Sequence, residues 1–292
     1  MQGLVQNYST PIIAVAQTAL STSNTVFFAP TTTGDLLLAV WFGENTLNSP
    51  LVAPTTPSGW TLDKSISTST KGIYMYEKAN ASSISSLSFS GESADLEGVY
   101  FLELAGAAST PKDVTASNSG TSATLDSGTT AATAQANELA IAGLAMTASS
   151  STQIAAFTSP TNSFTLDRQQ ALQTDSGDTP RVYEDLRYAG LYKVLTATGT
   201  QNTGASDSAS HPWEGAIVTY KLSGAASTPG TGATPNTAAT PVLAAEAVAS
   251  YTDPRNNVWP YGFDWTGFGH VTQATDPLER SEKLTVWHES SW

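Results

Sequence analysis

The sequence predicts an all-β protein. The expected form is an antiparallel, jelly-roll-like β-sandwich of two pseudo-repeated halves, followed by a Pro/Thr/Ala linker and an aromatic-rich C-terminal arm. Three observations carry that expectation. Short apolar runs alternate with Ser/Thr/Gly/Pro clusters over residues 1–224, as strands joined by turns do. Charged residues make up only 13% of the chain while 35 Ser and 42 Thr are present, so small hydroxyls must cover much of the surface. That composition suits strands better than helices. Finally, five sequence blocks recur in the same order.

The first apolar run is PIIAVAQTAL, Pro11 to Leu20, which Gln17 interrupts; the first basic residue anywhere is Lys64. A signal peptide needs a basic start, and a membrane span needs about 20 apolar residues. The run is therefore expected to be a first strand, with no export signal and no membrane segment. LLLAVWF, Leu36 to Phe42, is continuously apolar and should be a central strand packed on both faces. GIYMYEK alternates, placing Ile73, Met75 and Glu77 on one face and Tyr74 and Tyr76 on the other. LSFSG, GVYFLEL and AIVTYKL alternate likewise.

The repeat is visible as five matched blocks. GDLLLAV (Gly34 to Val40) lies over NELAIAG (Asn137 to Gly143) at an offset of 103, and SGWTLDK (Ser58 to Lys64) over NSFTLDR (Asn162 to Arg168) at 104. Tyr76 aligns with Tyr192 at 116, Glu97 of LEGVYF with Glu214 of WEGAIV at 117, and AGAASTP (Ala105 to Pro111) with SGAASTP (Ser223 to Pro229) at 118. The growing offset points to an insertion of about a dozen residues between Arg168 and Tyr192, near the polar stretch DSGDTP. Loops absorb such insertions at small entropic cost. One four- or five-stranded sheet leaves an apolar face wet, so two copies are expected to close on each other as a single sandwich rather than stand as two domains. The expected organisation is a duplicated sandwich over 1–224 with halves at about 1–111 and 112–224. A linker with a possible short helix over VLAAEAVA follows at 225–250, then a docking arm at 251–292.

The order GDLLLA, PSGWT, a Tyr-rich strand ending near Lys, then EGV..LEL.GA resembles a β-sandwich module of tailed-phage virion proteins, similar forms of which occur in some secreted bacterial proteins. The resemblance covers roughly Thr31 to Ala226, in both copies. The second copy departs from it, with Asn137-Glu138 for Gly34-Asp35 and Phe164 for Trp60. What the resemblance implies is a structural or adhesive role on a particle surface, of the minor tail or capsid-decoration type, without catalysis. It supplies no functional residues.

Charge and motifs narrow the function classes. A net charge of −13 disfavours nucleic acid and anionic membrane as partners, and the absence of Cys excludes disulfides, thiol nucleophiles and Cys-based zinc sites. The three histidines, His211, His270 and His288, lie in no metal-ligand spacing, and no HExxH, P-loop or GxSxG string occurs. No catalytic residue, metal or cofactor is expected, and the protein is read as not an enzyme. Trp60 is a conceivable sugar platform, but its counterpart Phe164 in the other half argues for core packing. The carboxylate pairs Asp175/Asp178 and Glu184/Asp185 are read as a solvated loop rather than a calcium or glycosidase site.

Residues 251–292 hold four of the seven Trp, and Pro254, Pro260, Gly262, Gly267 and Gly269 interrupt them. Long regular structure is not expected there. Trp259, Tyr261, Phe263, Trp265, Phe268, Trp287 and Trp292 are the expected partner-binding residues, since buried aromatics dominate interface energetics. The expected partners are other virion proteins, head or tail subunits, in a homo-oligomer at the virion surface. The alternative is an adhesion module for a host-surface glycan.

Overall fold

In a computed structural model, residues 14–222 are described apart from 46–49, 80–81, 151–153 and 176–182, together with the backbone of four short strands between 250 and 283. Two compact units result, Met1–Pro229 and Gly230–Trp292. The strands of the first unit are β1 (Ala14–Ser21), β2 (Thr25–Phe27), β3 (Leu36–Glu44), β4 (Thr61–Ser67), β5 (Lys71–Ala79), β6 (Ser86–Ser88) and β7 (Leu96–Ala105). They continue as β8 (Ala107–Asp126), β9 (Glu138–Ser150), β10 (Thr165–Asp175), β11 (Tyr183–Leu195) and β12 (Gly204–Leu222). The described residues contain no helix.

Ten of these strands form two five-stranded antiparallel sheets, ordered β1-β7-β3-β5-β4 and β10-β11-β9-β12-β8. Read from opposite ends the two orders are the same, with β8, β12, β9, β11 and β10 standing for β1, β7, β3, β5 and β4. A jelly roll interleaves strands between its sheets. Here each half completes its own sheet, and the chain passes between them through one residue, Gly106, at φ 78°, a left-handed conformation that glycine adopts without a Cβ clash. The segment around Pro111, which reads as a Ser/Thr-rich connection, is part of β8.

The sheets face each other about a pseudo-twofold axis. β4 meets β8 and β12, and β10 meets β1 and β7; β5 meets β9 and β12, and β11 meets β3 and β7; β3 meets β9. Each of these inter-sheet contacts thus has its exchanged partner, and β3 against β9 is its own. Between the sheets lie Leu36, Leu38, Val40, Phe42, Ile73, Met75, Leu102 and Leu104 of the first half and Leu139, Ile141, Leu186, Tyr188, Val218 and Tyr220 of the second. Each sheet also buries its outer face. Trp41, Tyr74, Tyr76 and Phe101 pack under the β2–β6 pair, and Leu144, Met146, Leu191 and Trp213 pack under Ile154, Phe157 and Phe164. β3, apolar from Leu36 to Phe42, is accordingly buried along its whole length in the middle of its sheet.

Strand pairing corrects the alignment read from sequence. Val40 pairs with Met75 and Tyr100, while Gly143, its counterpart at offset 103, pairs with Gly190 and Ala216. The structural offsets are therefore 115 for β5 to β11 and 116 for β7 to β12, one fewer than the residue identities suggest. Tyr76 is equivalent to Leu191 rather than Tyr192, and Glu97 to Trp213 rather than Glu214. A slip of one residue exchanges the faces of a strand. Glu214 is fully buried and accepts a bond from Thr68 N at 2.9 Å across the sandwich, whereas Glu97 lies near Asn24 and Glu92. The insertion lies where the offset jumps, in the β10–β11 hairpin, and much of it lengthens strands: 11 and 13 residues against 7 and 9 in β4 and β5.

The second unit is a four-stranded antiparallel sheet of β13 (Ser250–Thr252), β14 (Val258–Asp264), β15 (His270–Thr275) and β16 (Ser281–Lys283). The arm is thus richer in regular structure than its Pro and Gly content suggests. Pro260 and Gly262 fall inside β14, and the register shifts between Gly262 and Phe263. A bulge there lets a strand of aromatic and β-branched residues persist through poor strand formers. The possible helix over VLAAEAVA lies outside the described residues.

Candidate functional site

Trp259, Tyr261 and Phe263 occupy alternate positions of β14, in which Trp259 pairs with Tyr251 and Phe263 with Val271. Trp265, Phe268, Trp287 and Trp292 lie outside the described residues. The structure therefore gathers three of the seven nominated aromatics on one strand.

Within the sandwich the most concentrated polar chemistry is at its two edges, and the repeat builds it. The block TLD followed by a basic residue occurs in both halves, and in each its Asp falls at a β-bulge: between Leu62 and Lys64 in β4, and between Leu166 and Arg168 in β10. The bulge turns the carboxylate toward the opposite sheet. Asp63 accepts from the Tyr220 hydroxyl at 2.8 Å, and Asp167 from the Tyr100 hydroxyl at 3.1 Å. Burial pushes both tyrosine hydroxyls above their ordinary range, so they stay protonated donors. Lys112 stands 3.2 Å from Asp63, whose side chain is wholly buried. Burial raises Asp63 against the opposing pull of Tyr220 and Lys112, and it pushes Glu77 up to about 7 with the Asp63 charge adding to the rise. These groups fasten one sheet to the other.

A second kind of fastening explains part of the hydroxyl content. Ser127, Thr130 and Thr133, three residues apart, donate their N–H groups to the carbonyls of Thr203, Gln201 and Gly199 at 2.8, 2.9 and 3.1 Å. Their hydroxyls accept the N–H groups of those same residues at 2.9, 2.9 and 3.2 Å. Thr161 does the same with Gly204, and Thr31 with Ile84. Each hydroxyl replaces a ladder partner, so irregular chain is held with strand-like satisfaction of its polar groups.

These loops frame an open cleft of about 370 Å³ lined by Asn162, Ser163, Lys193, Thr200, Gln201 and Asn202. Asn162 Nδ2 donates to Asn202 O at 3.1 Å and to Asn202 Oδ1 at 2.7 Å. The Lys193 ammonium stands 5.7 Å from the centre of the Phe164 ring. An ammonium, three amides and two hydroxyls at one cleft suit a polar ligand rich in hydrogen-bonding groups. Sequence reasoning missed these residues. Their signal was the second-copy turn, where Asn162-Ser163 replaces Ser58-Gly59, together with a lysine kept at both Lys78 and Lys193.

Trp60 and Phe164 are 8% and 4% exposed in the two outer clusters. Asp185, read from the sequence as part of a solvated loop, is instead fully buried on β11 and accepts from Ile154 N at 3.2 Å. His211 Nε2 stands 4.0 Å from Asp207. Asp178 lies outside the described residues. Among the described residues no group of three or more His, Asp or Glu is placed to hold a metal ion, and no helix is long and apolar enough to cross a membrane. Compared with known proteins, the chain matches no family model, no curated protein and no solved structure.

Proposed function

We propose that this protein is a non-enzymatic virion component, a minor tail or capsid-decoration protein that displays its sandwich outward and is attached through residues 251–292. One observation carries the reading: the compact sandwich unit ends at Pro229, and the aromatic-dense remainder forms a unit of its own. Trp259, Tyr261, Phe263, Trp265, Phe268, Trp287 and Trp292 are the anchors, seated in grooves of neighbouring virion subunits or of further copies of this chain. Each well-packed aromatic contributes on the order of 2 kcal/mol. The resemblance of the repeated blocks to phage virion modules supports the setting, and the acidic surface favours solubility and mutual repulsion of particles.

Removing the residues after Pro229 tests the reading. The shortened chain is expected to remain soluble and folded, with a β-rich circular dichroism spectrum, and to be missing from purified particles. Particles that carry it at normal copy number would refute the anchoring role. A second reading, recognition of a host-surface glycan, is favoured by the polar cleft at Asn162 and Lys193. On that reading glycan binding survives loss of the arm.

A further inference from the structure

The two halves build one turn in two ways. In the first it is Ser58-Gly59-Trp60, with Gly59 at φ 79° and the Lys78 Cε 3.6 Å from where a Cβ on Gly59 would stand. In the second it is Asn162-Ser163-Phe164. Lys193 takes the place of Lys78, since Lys78 pairs with Leu37 on β3 and Lys193 with Ala140 on β9, equivalent positions of the two sheets. Both turns close on the same bond, Trp60 N to Pro57 O at 3.0 Å and Phe164 N to Thr161 O at 3.2 Å. Yet Asn162 and Ser163 stand at φ 55° and 61°. That conformation is free for glycine and readily adopted by Asn, but it costs a residue such as Ser about 1 kcal/mol. Where the first half has one left-handed residue, a glycine, the second has two, and it places a polar side chain on each, Ser163 at the cost of strain. Such strain gathers at ligand clamps.

From this contrast we propose that the cleft at Asn162, Ser163, Lys193, Thr200, Gln201 and Asn202 binds an acidic saccharide, a sugar carrying a carboxylate. The inference rests on the glycan-recognition reading above. The lining side chains are all polar, so nothing seats a lipid or a flat aromatic ligand. Amides and hydroxyls suit the ring hydroxyls of a sugar, and the volume falls in the roughly 300–1,000 Å³ range of small-molecule sites. The charge preference comes from Lys193. Lys112 and Lys221 stand 3.2 and 3.9 Å from aspartates, whereas Lys193 forms no ion pair among the described residues and stands over the face of Phe164. The ring orients the ammonium without neutralising it. In a chain of net charge −13 general attraction for anions is absent, so a single oriented ammonium has to select the carboxylate locally. The cleft walls are fixed in advance by the Thr130–Gln201 and Ser127–Thr203 bonds and by Asn162 on Asn202, which lowers the ordering entropy of binding.

The test uses the full-length protein on an array of sialyl- and glucuronyl-terminated oligosaccharides with matched neutral ones, followed by titration of the best binder. The expected result is at least a tenfold preference for the acidic member of a pair. Lys193→Ala should lose tenfold or more and Asn162→Gly several-fold, with unchanged melting temperature for Lys193→Ala and unchanged binding for Lys78→Ala. Acidic binding that survives Lys193→Ala would overturn this site while leaving glycan recognition standing. Preference for the neutral member would overturn the ligand class. No binding to any saccharide would overturn both the site and the glycan reading.

Discussion

The first sheet and the second share a strand order, a bulged Asp and an aromatic under a left-handed turn, yet where their central strands cross the inner faces are opposites. Val40 and Phe42 stand where the second half has Gly143 and Ala145, at equivalent positions of the central strands. The reason is geometric. Near a twofold axis a residue faces its own counterpart, so two identical large side chains would meet head-on. A Cβ on Gly143 would come 2.7 Å from Val40 Cγ1 and 3.1 Å from Phe42 Cε1. Away from the axis, where residues no longer face their counterparts, large still meets small. Tyr100 of the first sheet fills the space above Gly190, and Tyr188 of the second fills the space above Gly98. At the axis the copies have to diverge into large against small, whereas farther along the strands equivalent positions such as Leu38 and Ile141 stay large in both halves.

The contrast can be broken directly at the axis. Gly143→Val gives the second sheet the first sheet's residue and should destabilise the fold by about 3 kcal/mol, read as the denaturant midpoint. Exchanging the pair, Val40→Gly with Gly143→Val, should recover much of that loss. If the exchange is no better than the single change, the self-facing geometry is wrong.

A smaller effect separates Gly98 from its counterpart Glu214. Burial pushes the Glu214 carboxyl up to about 7 from an ordinary 4.5, partly opposed by Thr68 and by the Lys71 charge. The folded state therefore binds a proton that the unfolded chain has released, and stability falls as pH rises from about 4.5 to about 7. Allowing for local relaxation, the loss is about 2 kcal/mol. Glu214→Gln should flatten that part of the profile in melts taken across this pH range, and a slope that persists would assign it to other carboxyls such as Glu77 and Glu138, also raised to about 7.

The finest comparison is between the two Tyr–Asp fastenings. Tyr220→Phe leaves the wholly buried Asp63 with one partner fewer and should cost about 1.5 kcal/mol, whereas Tyr100→Phe acts on Asp167, 21% exposed and reachable by water, and should cost about half that. Equal losses would mean that solvent does not distinguish the two edges.

How much of this was legible beforehand depends on what kind of signal each feature leaves. The apolar run at Leu36–Phe42 and the alternation at Ile73–Glu77 are burial patterns, and they led to a central strand and to the correct faces of Met75 and Tyr76. The repeat led to one sheet per half. Its later offsets were misread because Tyr and Glu identities at Tyr192 and Glu214 outweighed pairing register, and register is set by partner strands that no local string contains. The bulges at Asp63 and Asp167 leave only TLD, which reads as ordinary strand. The cleft was missed because it joins residues of a turn to a strand and a loop some 30 to 40 positions further on, in a chain where Ser, Thr and Asn are everywhere.

Gly106 has a consequence for biosynthesis. Since the first sheet contains no described strand from beyond it, all five of its strands leave the ribosome before any strand of the second does. At about 5–20 residues per second the remainder of the sandwich takes on the order of ten seconds to emerge. Throughout that interval Leu38, Val40, Phe42 and Met75 lack the second sheet that covers them, a window in which chaperone capture or the sheet of another nascent chain competes with the proper mate.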